Sequence, residues 1–303
     1  MHDIIIVGAG PAGLTAALYG LRADKQVLII EKENFGGQIT FSPKVENYPT
    51  LKQISGSELG QMMLEQVMEH GADIELAEVT EIIHNGDIKT VITDMGNYEG
   101  KAVIIAAGSK HRHLGLPNEQ ELTGKGVSYC AVCDGAFFSG MPVAVVGGGN
   151  TALQEAIMLS EYCTHVTIVQ NLSTMTGEGR LVNILEQKDN VTMMFDTLVT
   201  ELIGTDKLEA IMLQNTKTGT TNKLSVDGLF VAIGQKPENE CFANLTELND
   251  AGYIDADEGC LTDTPGVFVA GDCRTKAVRQ VTTAAADGTI AALAACRYLD
   301  KLN

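Results

Sequence analysis

The chain has 303 residues, of which 45% are apolar and 20% are charged, and its formal net charge is −18 at pH 7. This length predicts two domains, because single hydrophobic cores stop growing at about 250–300 residues. The acidic balance argues against nucleic acid and membrane surfaces as partners, and no apolar run reaches the roughly 20 residues that span a bilayer. The cysteines are scattered except for one close pair, which is unlike a secreted disulfide framework and predicts a cytoplasmic protein.

A βαβ unit of the nucleotide-binding kind opens the chain. Apolar runs at residues 4–7 and 27–30 predict two buried parallel strands, and a helix-compatible stretch lies between them. A GxGxxG loop follows the first strand, where glycines allow a tight turn and the close approach of a pyrophosphate. Glu31 ends the second strand, where a carboxylate accepts hydrogen bonds from ribose hydroxyls. The candidate contacts in the loop are Gly8, Gly10, Pro11, Ala12 and Gly13.

Three later apolar runs also end in glycine, at residues 103–108, 229–234 and 267–271. Because open α/β sheets bind ligands at the carboxyl ends of their strands, tight backbone is expected there. Ala107 and Gly108 close the first of these runs, and Gly271 and Asp272 close the last. The carboxylate of Asp272 is placed to reach a hydroxyl of a nucleotide or to order water on its phosphates. An Ala-rich stretch from about residue 280 to 299 predicts a closing helix.

Cys130 and Cys133 form the close pair, and thiols at this spacing can cycle between dithiol and disulfide. A zinc site would need a second pair of Cys or His ligands at comparable spacing, so no metal is expected. Asp134 follows directly; a carboxylate there raises the pKa of a neighbouring thiol and is a candidate proton relay. A helix N-cap is the structural alternative for Asp134. These three residues are the candidate catalytic group.

A second βαβ unit is predicted from strands at residues 143–146 and 166–169 and a helix that ends near residue 160. Two such units predict an α/β fold with two Rossmann-like domains. Short Gly/Pro segments at 114–117 and 234–237 are the expected crossings. We therefore expect a discontinuous first domain, residues 1–116 and 245–303, with a nicotinamide-nucleotide-type domain that carries the CxxC, residues 117–244, inserted into it. The candidate contacts of the second nucleotide site are Gly147, Gly149, Asn150, Thr151 and Gln170.

The order and spacing of these motifs resemble the low-molecular-weight thioredoxin reductases over essentially the whole chain. The sequence CAVCDG at residues 130–135 is similar to that family's CATCDG, with Val132 in place of Thr. The resemblance implies the two-domain fold of FAD/NAD(P)-linked disulfide reductases, FAD in the first nucleotide site, thioredoxin or a thioredoxin-like protein as substrate, and a homodimer. It adds further flavin-site residues, namely Gly37, Gln38, Asn47, Arg279 and Gln280.

The resemblance also implies separate roles for the catalytic group. Cys133 would be the thiolate nearer the flavin, Cys130 the one that attacks the substrate disulfide, and Asp134 the acid. Glutathione reductases and lipoamide dehydrogenases carry their pair soon after the first nucleotide motif, which this chain does not, so they are disfavoured.

One segment departs from the family pattern. The HRRxxxR motif that grips the 2′-phosphate of NADPH should follow residue 169, where this chain reads QNLSTMT. Arg180 is the nearest arginine, and no acidic residue closes the preceding strand as in NAD sites. Gln170 and Asn171 are candidate partners for the ribose hydroxyls. The electron donor therefore stays open among NADPH, NADH and ferredoxin, and a strong preference for NADPH is not expected.

Two other functions stay open at this point. The same fold could work as a dithiol oxidase that passes electrons to oxygen, or as a redox-sensing flavoprotein that binds a partner without turnover. Ferredoxin–NADP reductases share the fold but lack the CxxC, which disfavours them.

Overall fold

The computed structural model describes residues 1–42 and 45–302. It divides the chain into two compact units, of which the first comprises Met1–Lys110 and Lys236–Asn303 and the second His111–Gln235. The second unit is thus inserted into the first, as the sequence predicted. The residue boundaries drawn from the sequence stay predictions.

Strands and helices alternate in the two βαβ units, whereas other strands follow one another directly. The strands are β1 (His2–Val7), β2 (Val27–Glu31), β3 (Asp73–Leu76), β4 (Val79–Asn85), β5 (Ile88–Thr93), β6 (Asn97–Ile105), β7 (Ser109–His111), β8 (Val127–Ser128), β9 (Pro142–Val146), β10 (His165–Val169), β11 (Val191–Met194), β12 (Thr197–Ile203), β13 (Ala210–Asn215), β14 (Thr221–Ser225), β15 (Gly228–Val231), β16 (Gln235–Pro237) and β17 (Val267–Val269). The α-helices are α1 (Pro11–Arg22), α2 (Gly56–Glu69), α3 (Glu119–Leu122), α4 (Ala131–Asp134), α5 (Asn150–Ser160), α6 (Gly179–Glu186) and α7 (Val281–Leu299).

The first unit is built on a seven-stranded sheet. Its order is β3–β2–β1–β6–β5–β4, and β17 pairs with β6. Strands β1, β2, β3, β6 and β17 run parallel, whereas β4 and β5 form an antiparallel meander with β6. Alternate residues of β1 enter different cores: Ile4 and Ile6 pack with α1 and α7, while Ile5 and Val7 pack on the opposite face. Burial on both faces explains the continuous apolar run.

The register of these parallel strands decides where the loops emerge. Val7 pairs with Ile30 of β2 and with Ile105 of β6, and Ile105 pairs in turn with Val269 of β17. The carboxyl ends of four strands therefore lie at one edge of the sheet. The segments that follow them are brought together there, which is the ligand-binding edge of an open α/β sheet.

The second unit contains a five-stranded parallel sheet in the order β11–β10–β9–β15–β8 and a three-stranded antiparallel sheet in the order β12–β13–β14. Val143 and Val145 of β9 pack with the apolar side of α5, while Ala144 packs with Leu213 of β13 and its neighbours. No helix in the described part of the chain is long and apolar enough to cross a membrane.

Candidate functional site

The first glycine loop joins β1 to α1 with backbone that only glycine fits well. Gly8 has a φ of 105°, and a Cβ there would run into the carbonyl group of Ala106. Gly37 has a φ of 62°, and its Cβ would lie 3.0 Å from the Cα of Gly10. Helix α1 then begins at Pro11, a residue suited to the first helical position because it has no N–H to leave unpaired. The loop therefore lies at the end of β1 without side chains at Gly8 and Gly10, next to the segment that begins at Gly37.

Glu31 lies where the sequence placed it, at the end of β2. Its Oε2 accepts a hydrogen bond from the backbone N–H of Ala9 at 2.7 Å, and its Oε1 accepts one from the N–H of Glu33 at 2.8 Å. The carboxylate is therefore fixed beside the glycine loop. This is the position from which an acidic residue reaches a ribose in dinucleotide-binding folds.

The segment after β17 approaches the same loop. A Cβ on Gly271 would meet the side chain of Ala12 at 2.8 Å. The Oδ1 atom of Asp272 is buried and has no hydrogen-bond partner among the described residues. Burial raises the pKa of the Asp272 carboxyl, and the cations Lys276 and Arg279 oppose that rise. A buried acceptor that no protein group satisfies is a place where a ligand's donor fits.

Other predicted flavin-site residues lie around this edge. Backbone N–H groups of Gly108 and Ala107 approach the buried thiol of Cys273. Asn47 donates from its Nδ2 to Oε1 of Gln280 at 3.2 Å, and Gln280 also caps the start of α7. Gln38 is exposed on the 3-10 helix Gly37–Phe41.

Arg279 is held against the segment that begins at Asp272. Its guanidinium carbon lies 4.3 Å from the ring centre of Tyr253, and its Nη1 donates to the carbonyl of Lys276 at 3.2 Å. Its Nε donates to the carbonyl of Asp272 at 3.5 Å. Together with the preceding contacts, this arrangement gathers most of the predicted first-site residues at one edge of the sheet, and their glycine cradle and buried acceptor fit a dinucleotide such as FAD.

A buried ion network behind Gly271 was not predicted. Asp287, on α7, accepts hydrogen bonds from the Gly271 N–H at 2.9 Å, from Arg274 Nε at 2.9 Å and from Lys276 Nζ at 2.8 Å. Burial alone would raise the pKa of Asp287, but the bonds from Arg274 and Lys276 keep it below its usual value. Asp287 is the one charged residue in the Ala-rich run from 281 to 296, and that isolation is a signal in the sequence.

The redox pair lies in the second unit, where a disulfide joins Cys130 and Cys133 at the start of α4. Cys130 caps this helix, since its Sγ accepts a hydrogen bond from the Cys133 N–H at 3.2 Å. Ser128 accepts from the Cys130 N–H at 3.1 Å and donates to Oδ2 of Asp134 at 2.7 Å. Ser128 therefore ties the carboxyl of Asp134 to the cysteines.

Asp134 has features of a proton carrier. Burial raises the pKa of the Asp134 carboxyl, although the hydrogen bond from Ser128 works in the opposite direction. Its Oδ1 is buried, without a hydrogen-bond partner in residues 1–42 and 45–302. A raised pKa favours the protonated form, which is the form that an acid needs.

A second carboxyl near the disulfide, Glu155 on α5, was missed in the sequence. Its Oε1 accepts a hydrogen bond from the N–H of Ala131, the residue after Cys130, at 3.3 Å. Burial raises the pKa of Glu155 to about 7, with the Ala131 bond acting against the rise. The available signal was its position on the apolar side of α5, between Ala152 and Leu159.

The five remaining cysteines are free within the described chain, and all but Cys241 are buried: Cys163, Cys241, Cys260, Cys273 and Cys296. Burial raises the pKa of the Cys163 and Cys273 thiols to about 11 in each case. Such thiols are poor nucleophiles at neutral pH. Among the described residues, no group of three or more His, Cys, Asp or Glu side chains is arranged to hold a metal ion.

The second glycine loop joins β9 to α5. Gln170, the residue that follows β10, forms its hydrogen bonds within the protein. Gln170, only 3% exposed, donates from Nε2 to the carbonyl of Thr174 at 3.0 Å and accepts from the Asn171 N–H at 3.1 Å. A Cβ on Gly148 would run into its amide group. The side chain expected to reach a ribose is therefore buried behind the loop.

The segment after Thr174 crosses the second loop. Two N–H groups, of Thr176 and Gly177, donate to the Gly148 carbonyl at 2.8 and 2.9 Å. Glu178 exchanges two hydrogen bonds with the side chain of Asn150, the first residue of α5, at 2.7 and 3.2 Å. A Cβ on the neighbouring Gly149 would lie 3.8 Å from Oγ1 of Thr176, an ordinary van der Waals contact, and Thr151 is exposed in the first helical turn.

A carboxylate thus occupies the N-terminal end of α5, which is where dinucleotide phosphates approach in this type of fold. Arg180, the nearest arginine, pairs with this carboxylate: its Nη2 lies 3.5 Å from Oε2 of Glu178, and 76% of its side chain is exposed. Residues 170–179 contain no lysine or arginine that could meet the 2′-phosphate of NADPH.

Comparisons with known proteins agree with these features. The family model for pyridine nucleotide-disulphide oxidoreductases matches residues 2–288. The chain is 41% identical to the 34.2 kDa protein in the rubredoxin operon of Clostridium pasteurianum, over 98% of this chain and 97% of that protein. It is 40% identical to the thioredoxin reductase of Listeria monocytogenes, over 100% and 95%.

Among solved structures, the thioredoxin reductase of Streptococcus pyogenes is similar with a TM-score of 0.95 and 40% identity, covering 99% of each chain. The family model and these full-length relatives agree on the fold and imply FAD and a nicotinamide nucleotide as cofactors. The chain therefore belongs to the pyridine nucleotide-disulphide oxidoreductases and, within them, to the low-molecular-weight thioredoxin reductases.

Proposed function

We propose that this chain reduces the disulfide of thioredoxin, or of a thioredoxin-like protein, with FAD as its cofactor and Cys130–Cys133 as its redox pair. The observation that carries this proposal is the disulfide at the start of α4, tied through Ser128 to a buried carboxyl. The full-length similarity to proteins described as thioredoxin reductases supports the choice of substrate.

The residues proposed to hold FAD surround the carboxyl edge of the first sheet. Gly8 allows the tight turn, the missing side chain of Gly10 leaves room for the pyrophosphate, Glu31 accepts from ribose hydroxyls, and Asp272 offers its buried oxygen to a hydroxyl donor. FAD, when bound, supplies the two-electron carrier between the donor and the disulfide. The other proposed contacts are Pro11, Ala12, Gly13, Gly37, Gln38, Asn47, Ala107, Gly108, Gly271, Arg279 and Gln280.

The two cysteines divide the exchange reaction between them. After two-electron reduction of the pair, the thiolate of Cys130 attacks one sulfur of the substrate disulfide, and a substrate thiolate leaves. Cys133 then attacks Sγ of Cys130, which re-forms the enzyme disulfide and releases the second substrate thiol. Asp134 is proposed to give a proton to the leaving sulfur, which its raised pKa favours.

We propose that the electron donor is not chosen by a 2′-phosphate. Glu178 places negative charge beside Asn150, and Arg180 is already paired with that carboxylate. A nicotinamide nucleotide could then bind through backbone at Gly147 and Gly149 and through Thr151, with little discrimination between NADPH and NADH. A ferredoxin donor is the second candidate, favoured by the burial of Gln170.

Location in the cytoplasm is proposed from the cysteine pattern and the family, and assembly as a homodimer from the family alone. Sedimentation of the purified protein would test the dimer. Peroxide release during incubation with a dithiol would instead favour the dithiol oxidase reading.

Reduction of thioredoxin by the purified flavoprotein, without oxygen, tests the main proposal. Dithionite-reduced wild-type enzyme should deliver up to four electrons per chain to oxidised thioredoxin, two from the reduced flavin and two from the reduced cysteine pair. Cys130→Ser and Cys133→Ser should deliver them at least about 1,000-fold more slowly, because removing one member of a catalytic unit usually costs most of its effect. Cys241→Ser, at a free cysteine, is the matched control and should keep the wild-type rate. Equal rates in all four proteins would refute the redox role of the pair.

A further inference from the structure

Glu155 contacts the redox helix at its first peptide group. Its Oε1 lies 3.3 Å from the N–H of Ala131, between the two cysteines in sequence. The residue is 9% exposed, and its Oε2 is buried with no hydrogen-bond partner in the described chain. A buried carboxyl with one bonded and one open oxygen can change its protonation state without losing the bond that holds the helix.

Few titratable groups surround Glu155, and the redox pair, which is uncharged as a disulfide, becomes charged only on reduction. Helix α4, which packs against α5, contributes Cys133 and Asp134, and Cys130 lies directly before it. Beyond the end of α5, Tyr162 interacts electrostatically with Glu155 and has its pKa raised, first by its own burial, then by Cys163 and Glu155.

The other elements packed against α5 bring little charge. Strand β9 carries no titratable side chain, and His165 of β10 is bonded to Thr192. The charged residues of α6, Arg180 and Glu186, are exposed. No lysine or arginine within the described residues forms an ion pair with Glu155.

We propose that Glu155 is a positioning residue of the redox centre, which holds the first turn of α4 and takes up a proton when the Cys130–Cys133 disulfide is reduced. This inference rests on the redox role of the pair proposed above. Reduction breaks the S–S bond with two electrons from the enzyme's donor and, with one proton from solvent, leaves one thiol and one thiolate. The new negative charge disfavours an ionised Glu155, so a second proton is bound at the carboxyl.

The sign of the effect follows from this coupling. At pH 5.5, Glu155 is protonated in both redox states, so replacing it with Gln should leave the disulfide equilibrium unchanged. At pH 8.5, an ionised Glu155 opposes formation of the thiolate in the wild-type protein, and this opposition is absent in Glu155→Gln. The variant should therefore be the more easily reduced protein at high pH only.

Redox titration of the FAD-loaded protein in dithiothreitol buffers, from pH 5.5 to 8.5, tests this. The thiols are alkylated, and the peptide containing residues 130–133 is quantified by mass. At pH 8.5 the equilibrium constant for reduction should be at least about threefold larger in Glu155→Gln than in the wild type, and at pH 5.5 the two should agree. Glu186→Gln, at an exposed position on α6, should follow the wild type throughout.

Two further outcomes keep the test decisive. A reduced-minus-oxidised infrared spectrum of the wild-type protein should show a gain of protonated carboxyl that Asp134→Asn keeps, and this readout does not depend on folding of the Gln variant. Parallel pH curves for wild type and Glu155→Gln, or no such gain, would overturn the role of Glu155 while leaving thioredoxin reduction intact. A pair that cannot be reduced at any potential would instead refute the redox role itself.

Discussion

The two glycine loops share a backbone design but differ in what surrounds them. In the first unit, Glu31 turns its carboxylate to the loop backbone, and Asp272 brings a buried acceptor to the same edge. In the second unit, the corresponding strand is followed by Gln170, which is buried and bonded within its own segment. Glu178 then bonds to Asn150 at the start of the helix. In this chain, the side chains available to a nucleotide at each loop therefore depend on the segment after the second strand as much as on the glycines.

The buried carboxylates differ between the units in the same way. Asp287 in the first unit is neutralised by Arg274 and Lys276, and this network holds Gly271 in place. Glu155 in the second unit, by contrast, has no cation partner in the described part of the chain. The paired carboxylate fixes structure, whereas the unpaired one is free to exchange a proton near neutral pH.

The largest expected effect is on the paired carboxylate. Asp287→Ala leaves Arg274 and Lys276 buried without their shared anion, and breaking a buried pair usually costs about 3–5 kcal/mol. Denaturant unfolding of the protein should show this loss, together with release of FAD on gel filtration. Asp250→Ala, at an exposed position, is the control. An unchanged unfolding free energy would mean that the network contributes nothing to the first site.

The unpaired carboxylate, Glu155, should make the free energy of unfolding fall as the pH rises. Because the folded-state pKa of Glu155 is raised from 4.5 to about 7, ionising it on going to pH 8 costs the folded protein about 3 kcal/mol. Glu155→Gln should therefore be more stable than wild type at pH 8 and equal to it near pH 4.5. Thermal unfolding of the oxidised proteins across this range measures the difference, and a constant difference at all pH values would contradict it.

A smaller effect is expected at Asp272, a proposed FAD contact. Asp272→Ala removes one acceptor from the first site, and a hydrogen bond to a charged group contributes about 1.5–3 kcal/mol. The dissociation constant of FAD, measured by quenching of its fluorescence on rebinding to the apoprotein, should rise by about 10- to 150-fold. Asp263→Ala, outside this edge, should bind like the wild type. Equal affinities would remove Asp272 from the site.

The smallest effect is expected at the second loop. Arg180→Ala removes a side chain that is mostly exposed and paired with Glu178, so the KM for NADPH should change by less than about threefold. Arg22→Ala, at the end of α1, provides the comparison in the same steady-state assay. A loss specific to NADPH and not seen with NADH would mean that Arg180 leaves Glu178 to bind the 2′-phosphate.

Local patterns in the sequence were sufficient for the fold and for the position of the glycine loop and Glu31 at the proposed first site. Buried parallel strands read as apolar runs, and the glycine loop and Glu31 are close together in the chain, so both were predictable. The Cys130–Cys133 pair was predictable for the same reason. The inserted second unit followed from the presence of two βαβ patterns.

The missed residues act across long sequence separations. Asp287 meets Gly271 and Arg274 only because α7 packs beside the loop after β17, and Glu155 meets Ala131 only because α5 packs on α4. Glu178 was overlooked because it lies beyond the strand end, where a turn returns it to Asn150. A pattern of neighbouring residues carries no information about such contacts.

Anaerobic reduction of the bound flavin by NADPH, NADH and reduced ferredoxin, compared side by side, tests the contrast between the two loops most directly. We expect rates with NADPH and NADH within about tenfold of each other, since residues 170–179 contain no lysine or arginine and Arg180 is paired with Glu178. Slow flavin reduction by NADPH and by NADH, together with rapid reduction by ferredoxin, would also fit a second loop that does not select NADPH. A rate constant for NADPH more than about a hundredfold above that for NADH, lost in Arg180→Ala, would contradict the account.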